Sequence, residues 1–225
     1  IGGKVRNLSA AEILEQILAA EKETGEKISN IVMMGIGEPL DNFDNVMAFL
    51  EILSDPRGLN LGLRHVSLST CGLVDRIYAL AERRLQLTLS VSLHAPNDAI
   101  RSRSMPVNAR YNVDTLLRAC RDYFAATGRR ISFEYALIAG ENDAPEHAAE
   151  LAARLRGMGA HVNLIPVNPV AETGYRRGDR AAIERFQNEL RLRGVNATIR
   201  RELGADISAA CGQLRRQDAD ASTSG

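Results

Sequence analysis

The sequence predicts an α/β fold, built as one domain from parallel β/α units. Six short apolar segments rich in Val, Ile and Leu alternate with longer segments of helical character along the chain. The composition is uniform from end to end, and no internal repeat of fixed period is visible. Such alternation is typical of a parallel sheet covered by helices, and it fits both a doubly wound sheet and a partial barrel.

Helix and strand signals place the elements of the first half in order. Ser9 and Glu12 form a capping box, which opens the first helix. The apolar run 31–34 indicates a buried strand, and Pro56 with Gly58 breaks the chain after the second helix. In this half the sequence predicts strands 30–35, 66–69 and 87–93 and helices 10–24, 43–54 and 73–84.

The second half continues the same alternation. Asn97 is expected to cap a short helix that stops before Pro106, and Asn112 to cap a longer one that Gly128 ends. Small polar residues at the end of the chain predict a disordered tail over 218–225, which leaves residues 1–217 as the domain. The sequence predicts strands 131–138, 162–166 and 195–200 and helices 98–105, 113–126, 145–158, 179–193 and 206–214.

Composition excludes several classes of protein. No apolar run approaches the ~20 residues of a membrane span. The 28 basic and 28 acidic residues balance, which argues against a generic polyanion binder. Arginine supplies 25 of the basic residues, which reflects either base composition or phosphate contacts by the clusters 176–180 and 200–201. The three cysteines are far apart and form no C-x-x-C pair, which suits a reducing cytosol and predicts a cytoplasmic protein.

Polar residues follow most of the predicted strands. Gly37 and Glu38 come directly after the first strand, where the glycine allows a close backbone approach and the carboxylate could meet a ligand ammonium. In β/α folds, ligands bind at this carboxyl edge of the sheet. A polar ligand with an amino acid end and a sugar end would suit the groups at the later strand exits, which include Ser69, Thr70, Cys71, Gly72, Ser92, His94, Gly140, Asn142, Asp143 and Asn168.

Each of these residues also has a purely structural interpretation. Ser69 and Ser92 could cap the helices that follow them. His94 could be a structural histidine bonded to a carbonyl group, and Asn168 could belong to a turn. Glu134 lies inside a strand, where a buried carboxylate needs a polar partner or a position facing a barrel lumen.

Cys211 lies among small residues in the segment 206–214, which would let a large substrate approach it. A buried structural cysteine is the more frequent case. A nucleophilic cysteine needs a thiolate, which nearby arginines would favour. The sequence alone leaves both interpretations open.

Five motifs together resemble a known family. They are Met-Met-Gly-Ile-Gly-Glu-Pro-Leu at 33–40, Leu-Ser-Thr at 68–70, Ser-Leu-His-Ala-Pro-Asn-Asp at 92–98, Asn-Leu-Ile-Pro-Val-Asn-Pro at 163–169 and Ala-Cys-Gly-Gln-Leu at 210–214. In this order they are similar to the radical SAM adenine-C2 methyltransferases of ribosomal RNA, the RlmN type. The resemblance covers nearly the whole chain.

The resemblance implies a partial (β/α)6 TIM-like barrel of the radical SAM type, without its first strand and cluster loop. Cys211 matches the cysteine that becomes S-methylated as the catalytic intermediate. The positions that match the family's contacts to S-adenosyl-L-methionine (SAM) are Gly37, Glu38, Ser69, Ser92, Leu93, His94 and Asn168.

The resemblance also implies a cofactor, a reaction and partners. A [4Fe–4S] cluster would reductively cleave a second SAM, and the 5′-deoxyadenosyl radical would take hydrogen from the cysteine-borne methyl group. The resulting carbon radical would add to C2 of an adenine in 23S rRNA or in some tRNAs, with a donor such as flavodoxin supplying electrons. The family's C-x-x-x-C-x-x-C motif belongs just before Arg6 and is absent from this sequence. We therefore expect a fragment with no metal ligands, inactive by itself.

Three alternatives stay open. The C8-methylating antibiotic-resistance relatives (the Cfr type) share the SAM positions and the cysteine. Another radical SAM enzyme, such as an activase, would share the SAM positions but leave Cys211 unexplained. A cluster-free RNA-binding protein would bind RNA with steep salt dependence and gain no stability from SAM.

Overall fold

Six parallel strands form one sheet in the computed structural model, which describes residues 5–34, 36–167 and 175–200. The strands are β1 (Ile31–Met33), β2 (Val66–Thr70), β3 (Thr88–Ser92), β4 (Ile131–Leu137), β5 (Ala160–Pro166) and β6 (Asn196–Ile199). The helices are α1 (Ala10–Thr24), α2 (Phe43–Ser54), α3 (Val74–Arg83), α4 (Asp98–Ser104), α5 (Val113–Thr127), α6 (Pro145–Leu155) and α7 (Arg180–Leu192). Short 3₁₀ turns lie at Pro39–Asn42, Leu63–His65 and Pro106–Ala109.

The strand order distinguishes the two architectures that the sequence left open. The strands follow one another in sequence order from β1 to β6, and every neighbouring pair is parallel. A doubly wound sheet would reverse its strand order at a switch point. Within the described residues β1 and β6 do not pair with each other, so the sheet is open. The predicted partial barrel of six β/α units is therefore confirmed.

The two faces of the sheet differ in chemistry. Side chains alternate between the faces along each strand. The helix-covered face is apolar and forms the core, with Leu68, Leu89, Val91, Phe133 and Leu164 all fully buried. The opposite, inner face carries polar side chains on adjacent strands: Ser67, Ser69, Ser90, Ser92, Ser132, Glu134, His161, Asn163 and Thr198.

Local signals account for most of the element ends. Ser9 caps α1 in the predicted capping box with Glu12. The Asn97 and Asn112 side chains cap α4 and α5, and Gly128 ends α5 in the left-handed region at φ 65°. Helix α6 ends at Leu155, three residues before its predicted end. The predicted helix 206–214 and the tail 218–225 lie outside the described residues.

The edge of the sheet at β1 is less covered than its centre. No residue of α1 is buried, although this helix packs beside α2. The Val32 side chain on β1 is 66% exposed. A cavity of about 1090 Å³ runs between α1 and β1 and reaches Gly37 and Glu38. Among the described residues, no helix combines the length and the apolar character needed to span a bilayer.

Candidate functional site

The Gly37–Glu38 turn leaves β1 at the carboxyl edge of the sheet. Gly37 has φ 98°, a conformation that L residues rarely adopt, so the backbone here requires glycine. Glu38 Oε1 accepts a hydrogen bond from the Leu40 amide at 3.0 Å, and Oε2 accepts one from the Cys71 amide at 2.7 Å. No local sequence signal predicted these two backbone contacts, and whether Glu38 meets a ligand ammonium stays a prediction. The Glu38 carboxylate is anchored to two backbone amides and bridges the exits of β1 and β2.

Neither predicted serine caps a helix. Helix α3 follows Leu73 without a side-chain cap, and Asn97 rather than Ser92 caps α4. Ser69 lies on the inner face, in register with Ser90 of β3. Ser92 lies on the same face, in register with Glu134 of β4. Both hydroxyl groups therefore belong to the polar inner face of the sheet.

His94 follows β3 with a positive φ of 59° and is held at three points. Its Nδ1 accepts a hydrogen bond from the Ala136 amide at 3.1 Å. Its own amide donates to the Glu134 carbonyl, and its carbonyl accepts from Asn142 Nδ2 at 2.8 Å. Burial and the nearby positive charge of Arg101 lower the pKa of His94 to about 4. The imidazole is therefore neutral at neutral pH, and its Nδ1 carries no proton.

His94 variants test this arrangement. His94→Ala is expected to lower the free energy of unfolding by about 2 kcal/mol, because alanine is strained at this φ and the Ala136 amide loses its acceptor. His94→Asn should lose roughly half as much, because asparagine tolerates positive φ and its Oδ1 replaces Nδ1. Urea unfolding measures both. Equal losses in the two variants would show that the Nδ1 hydrogen bond contributes little.

The lowered pKa of His94 predicts that the stability of the fold depends on pH. The His94 pKa falls from 6.5 when unfolded to about 4 when folded. The unfolded chain therefore binds the proton first, and the stability contributed by neutral His94 is lost as the pH falls through this window. The wild type should lose more stability than His94→Asn between neutral pH and about pH 5. If the free energies of unfolding of the wild type and of His94→Asn change equally with pH, the protonation of His94 does not contribute to this pH dependence.

Glu134 lies on the inner face of β4 and is 5% exposed. Its carboxylate accepts hydrogen bonds from Ser132 Oγ at 3.1 Å and from Asn163 Nδ2 at 2.7 Å. Burial raises the pKa of Glu134, while these two hydrogen bonds and the charge of Arg200 act in the opposite direction. The sequence offered a lumen-facing position or a polar neighbour for this carboxylate, and the structure provides both.

At the exit of β4, the Asn142 and Asp143 side chains form hydrogen bonds with the protein's own backbone. Asn142 is 2% exposed, and its Oδ1 accepts from the Ile138 amide at 2.8 Å. Its Nδ2 donates to the carbonyls of His94 at 2.8 Å and Ala136 at 2.7 Å. Asp143 accepts from the Gly140 amide at 2.9 Å. The hydrogen-bonding capacity of the Asn142 amide is thus largely used in joining two strand exits.

Arg101 is a site residue that the sequence reasoning missed. It lies on α4 with no exposed surface and donates hydrogen bonds to the carbonyls of Cys71, Ser92, Leu93 and Tyr111. Its sequence context, Arg-Ser-Arg-Ser, is typical of an exposed helix face. The one available signal was its position four residues after the Asn97 cap, close to the exit of β3 in the sequence.

The described cysteines do not form a metal site. Burial raises the pKa of both Cys71 and Cys120 to about 12, with the Glu38 carboxylate adding to the effect at Cys71. Both are therefore thiols at neutral pH, and neither is an activated nucleophile. In the described part of the chain, no group of three or more Cys, His, Asp or Glu side chains could hold a metal ion.

Two predicted site residues, Asn168 and Cys211, lie outside the described residues, as does Arg201 of the cluster 200–201. In the arginine cluster 176–180, the exposed Arg180 forms an ion pair with Glu184 at 2.8 Å. The structure brings Glu38, Ser69, Ser92, Leu93 and His94 to the carboxyl edge of the sheet. The two serines lie on its inner face, and the Leu93 side chain lies in the core.

Comparisons with known proteins agree with this architecture. The family model of the Radical SAM superfamily matches residues 1–152. The chain is 56% identical to a probable dual-specificity RNA methyltransferase RlmN of Desulforamulus reducens, over 96% of this chain and 62% of that protein. It is 55% identical to the protein of the same description from Clostridium tetani, with the same coverage. The chain thus spans less than two thirds of these relatives.

Two solved structures superpose on this chain. A radical SAM methyltransferase from Sphaerobacter thermophilus superposes with a TM-score of 0.89 at 48% identity, over 94% of this chain and 63% of that one. SuiB of Streptococcus suis, bound to S-adenosylmethionine, superposes with a TM-score of 0.65 at 15% identity, over 89% of this chain and 45% of that one. The second likeness concerns the fold alone.

Proposed function

The chain belongs to the radical SAM superfamily, and from this we propose that it is the SAM-binding barrel segment of an RNA methyltransferase that modifies C2 of adenine. The relatives described as dual-specificity RNA methyltransferases support the reaction class and an RNA substrate. The proposed substrates are 23S rRNA and some tRNAs, and the proposed location is the cytoplasm, where these RNAs are found. An electron donor such as flavodoxin belongs to the same proposal.

The observation that carries the SAM site is the anchored carboxylate of Glu38. A carboxylate has about four lone-pair sites, and the amides of Leu40 and Cys71 occupy two of them. The remaining sites can accept hydrogen bonds from the ammonium group of an amino acid, and the two anchors hold the carboxylate ready for it. Charge-assisted hydrogen bonds of this kind are among the stronger polar contacts.

The other groups fit the remaining parts of SAM. Ser69 and Ser92 offer hydroxyl groups on the inner face, which suit a ribose. The turn at Leu93 and His94 lies beside them and is fixed by the Glu134 carbonyl and the Asn142 side chain. When bound, SAM supplies the methyl group and, in this superfamily, a radical precursor. This chain's residues bind and orient it.

The residues that the structure describes do not fit a [4Fe–4S] cluster. Such a cluster is held by several cysteine thiolates, and the described residues contain no group of three or more Cys, His, Asp or Glu side chains that could hold a metal ion. The cluster is proposed for the longer protein, and this chain alone is expected to be inactive. Cys211 as the methyl-carrying cysteine and Asn168 as a further SAM contact remain part of the proposal.

The experiment uses the longer protein that contains this chain, expressed in cells that lack their own enzyme of this type. Mass spectrometry of nucleosides from 23S rRNA and tRNA should detect 2-methyladenosine, and Cys211→Ala should abolish it. Detection of 8-methyladenosine instead would favour the C8-methylating alternative. Full turnover by Cys211→Ala would favour another radical SAM chemistry. RNA binding without any stabilisation by SAM would favour the cluster-free alternative.

A further inference from the structure

A single buried guanidinium group connects the exits of β2 and β3. Arg101 Nη2 donates to the Cys71 carbonyl at 2.7 Å and to the Ser92 carbonyl at 3.2 Å. Its Nε donates to the Leu93 carbonyl at 3.2 Å. Its Nη1 donates to Asn108 Oδ1 at 3.0 Å and to the Tyr111 carbonyl at 3.4 Å. We propose that Arg101 is a positioning residue for the SAM site, an inference that rests on the proposed function.

The link to Glu38 passes through the backbone of one residue, Cys71. The carbonyl of Cys71 accepts from Arg101, and the amide of Cys71 donates to Glu38 Oε2 at 2.7 Å. The orientation of this residue's backbone therefore determines where the second oxygen of the Glu38 carboxylate lies. A shift of the Cys71 backbone would move the carboxylate that is proposed to receive the ligand ammonium.

The link to β3 is direct. The carbonyls of Ser92 and Leu93 belong to two of the proposed SAM contacts, and both accept from Arg101. On their other side, the amides of Leu93 and His94 donate to the Glu134 carbonyl of β4. The exit of β3 is thus held between Arg101 and β4, which leaves the turn at Leu93 little freedom.

Arg101 is itself held in a defined orientation. Asn108, which accepts from Nη1, donates to Asp98 Oδ1 at 3.0 Å and to Ser102 Oγ at 2.8 Å. On the opposite side, a Cβ added to Gly72 would lie 3.3 Å from Arg101 Nη2 and 3.0 Å from Leu116. The guanidinium plane is therefore fixed from the Asn108 side, and glycine at position 72 leaves room for it.

The chemistry of arginine suits this position and that of lysine does not. Guanidinium presents five N–H donors in a rigid planar fork, whereas an ammonium group is a compact charge with three donors. These five hydrogen bonds of Arg101 go to neutral oxygens, four of them backbone carbonyls. Because Arg101 has no exposed surface, it cannot contact a ligand directly. Its effect on SAM binding must act through Cys71 and the turn at Leu93.

Arg101→Lys and the matched control Arg103→Lys test the inference. Arg103 lies on the same helix, is 63% exposed and pairs with Glu141. The affinity for SAM of the longer protein that contains this chain is measured by isothermal titration calorimetry, and circular dichroism verifies that each variant is folded. Arg101→Lys is expected to raise the Kd for SAM roughly tenfold to a hundredfold, because small misplacements of binding groups are costly. Arg103→Lys should bind as the wild type does.

A second variant separates positioning from simple structural loss. Arg101→Ala leaves a space lined by carbonyl oxygens, so millimolar guanidinium should restore part of its SAM affinity while sodium chloride of equal ionic strength should not. If neither Arg101 variant folds, Asn108→Ala, which keeps Arg101, should weaken SAM binding to a smaller extent. Wild-type-like SAM affinity in the folded variants overturns the inference and leaves the proposed function standing. Failure of the wild type to bind SAM overturns the proposed function itself.

Discussion

Replacing Glu38 with glutamine is expected to weaken SAM binding by about tenfold to a hundredfold. Hydrogen bonds to charged groups contribute about 1.5–3 kcal/mol, and 1.4 kcal/mol corresponds to a factor of ten in Kd. The neutral amide also fails as an anchor. Both carboxylate oxygens accept from backbone amides, those of Leu40 and Cys71. Whichever way the glutamine side chain is turned, its NH₂ group faces one of these donors.

The control for this experiment is Glu51→Gln. Glu51 is an exposed residue of α2, so its replacement removes the same charge from the protein without changing the site. Isothermal titration calorimetry with SAM measures both variants and the wild type. We expect Glu51→Gln to bind as the wild type does. Equal affinity of Glu38→Gln and Glu51→Gln would exclude Glu38 as the group that receives the ammonium.

The sequence predicted the elements and their order well because the relevant signals are local. The capping box at Ser9 and the caps at Asn97 and Asn112 act within three residues, and all three are present. The alternation of strands and helices predicted parallel units, but it left doubly wound sheet and partial barrel equally open. That choice depends on which strands pair, and pairing joins residues far apart in the sequence.

The site was predicted less well for the same reason. Glu38 and Cys71 are 33 residues apart, and Asn142 and His94 are 48 residues apart. Local sequence contains no sign of such contacts, so the backbone anchors of Glu38 were not predicted and Asn142 was grouped with the candidate ligand residues. Arg101 bonds to Cys71 across 30 residues, although its neighbours suggest an exposed helix face. Residue types at strand exits therefore do not predict which of these side chains bond to the protein's own backbone.

The inner face of the sheet differs from the filled interior of a closed barrel. In a complete (β/α)8 barrel, branched apolar side chains dominate the interior layers. Here Ser92, Glu134, Asn163 and Thr198 lie side by side across four strands, and hydrogen bonds join Glu134 to Asn163. A buried carboxylate is costly unless it is bonded. The polar row that contains Glu134 makes the inner face suitable for a polar ligand, as the proposed function requires.

Replacing Asn142 with alanine is expected to lower the free energy of unfolding by about 3 kcal/mol or more. The change removes an acceptor from the Ile138 amide and a donor from the carbonyls of His94 and Ala136. Each buried group left without a partner costs about 1–3 kcal/mol. Because Asn142 is 2% exposed, water cannot easily replace the lost hydrogen bonds in the unchanged fold.

Asn188→Ala is the matched control, because Asn188 is an exposed residue of α7. Alanine is favoured in helices, so this variant should stay within about 0.5 kcal/mol of the wild type or gain slightly. Urea unfolding at neutral pH measures both variants, and SAM titration shows whether the site is affected as well. Asn142→Ala should also weaken SAM binding, because the His94 turn loses its tie to the exit of β4. A loss of stability no larger than that of Asn188→Ala would mean that the three hydrogen bonds of Asn142 do not hold these strand exits together.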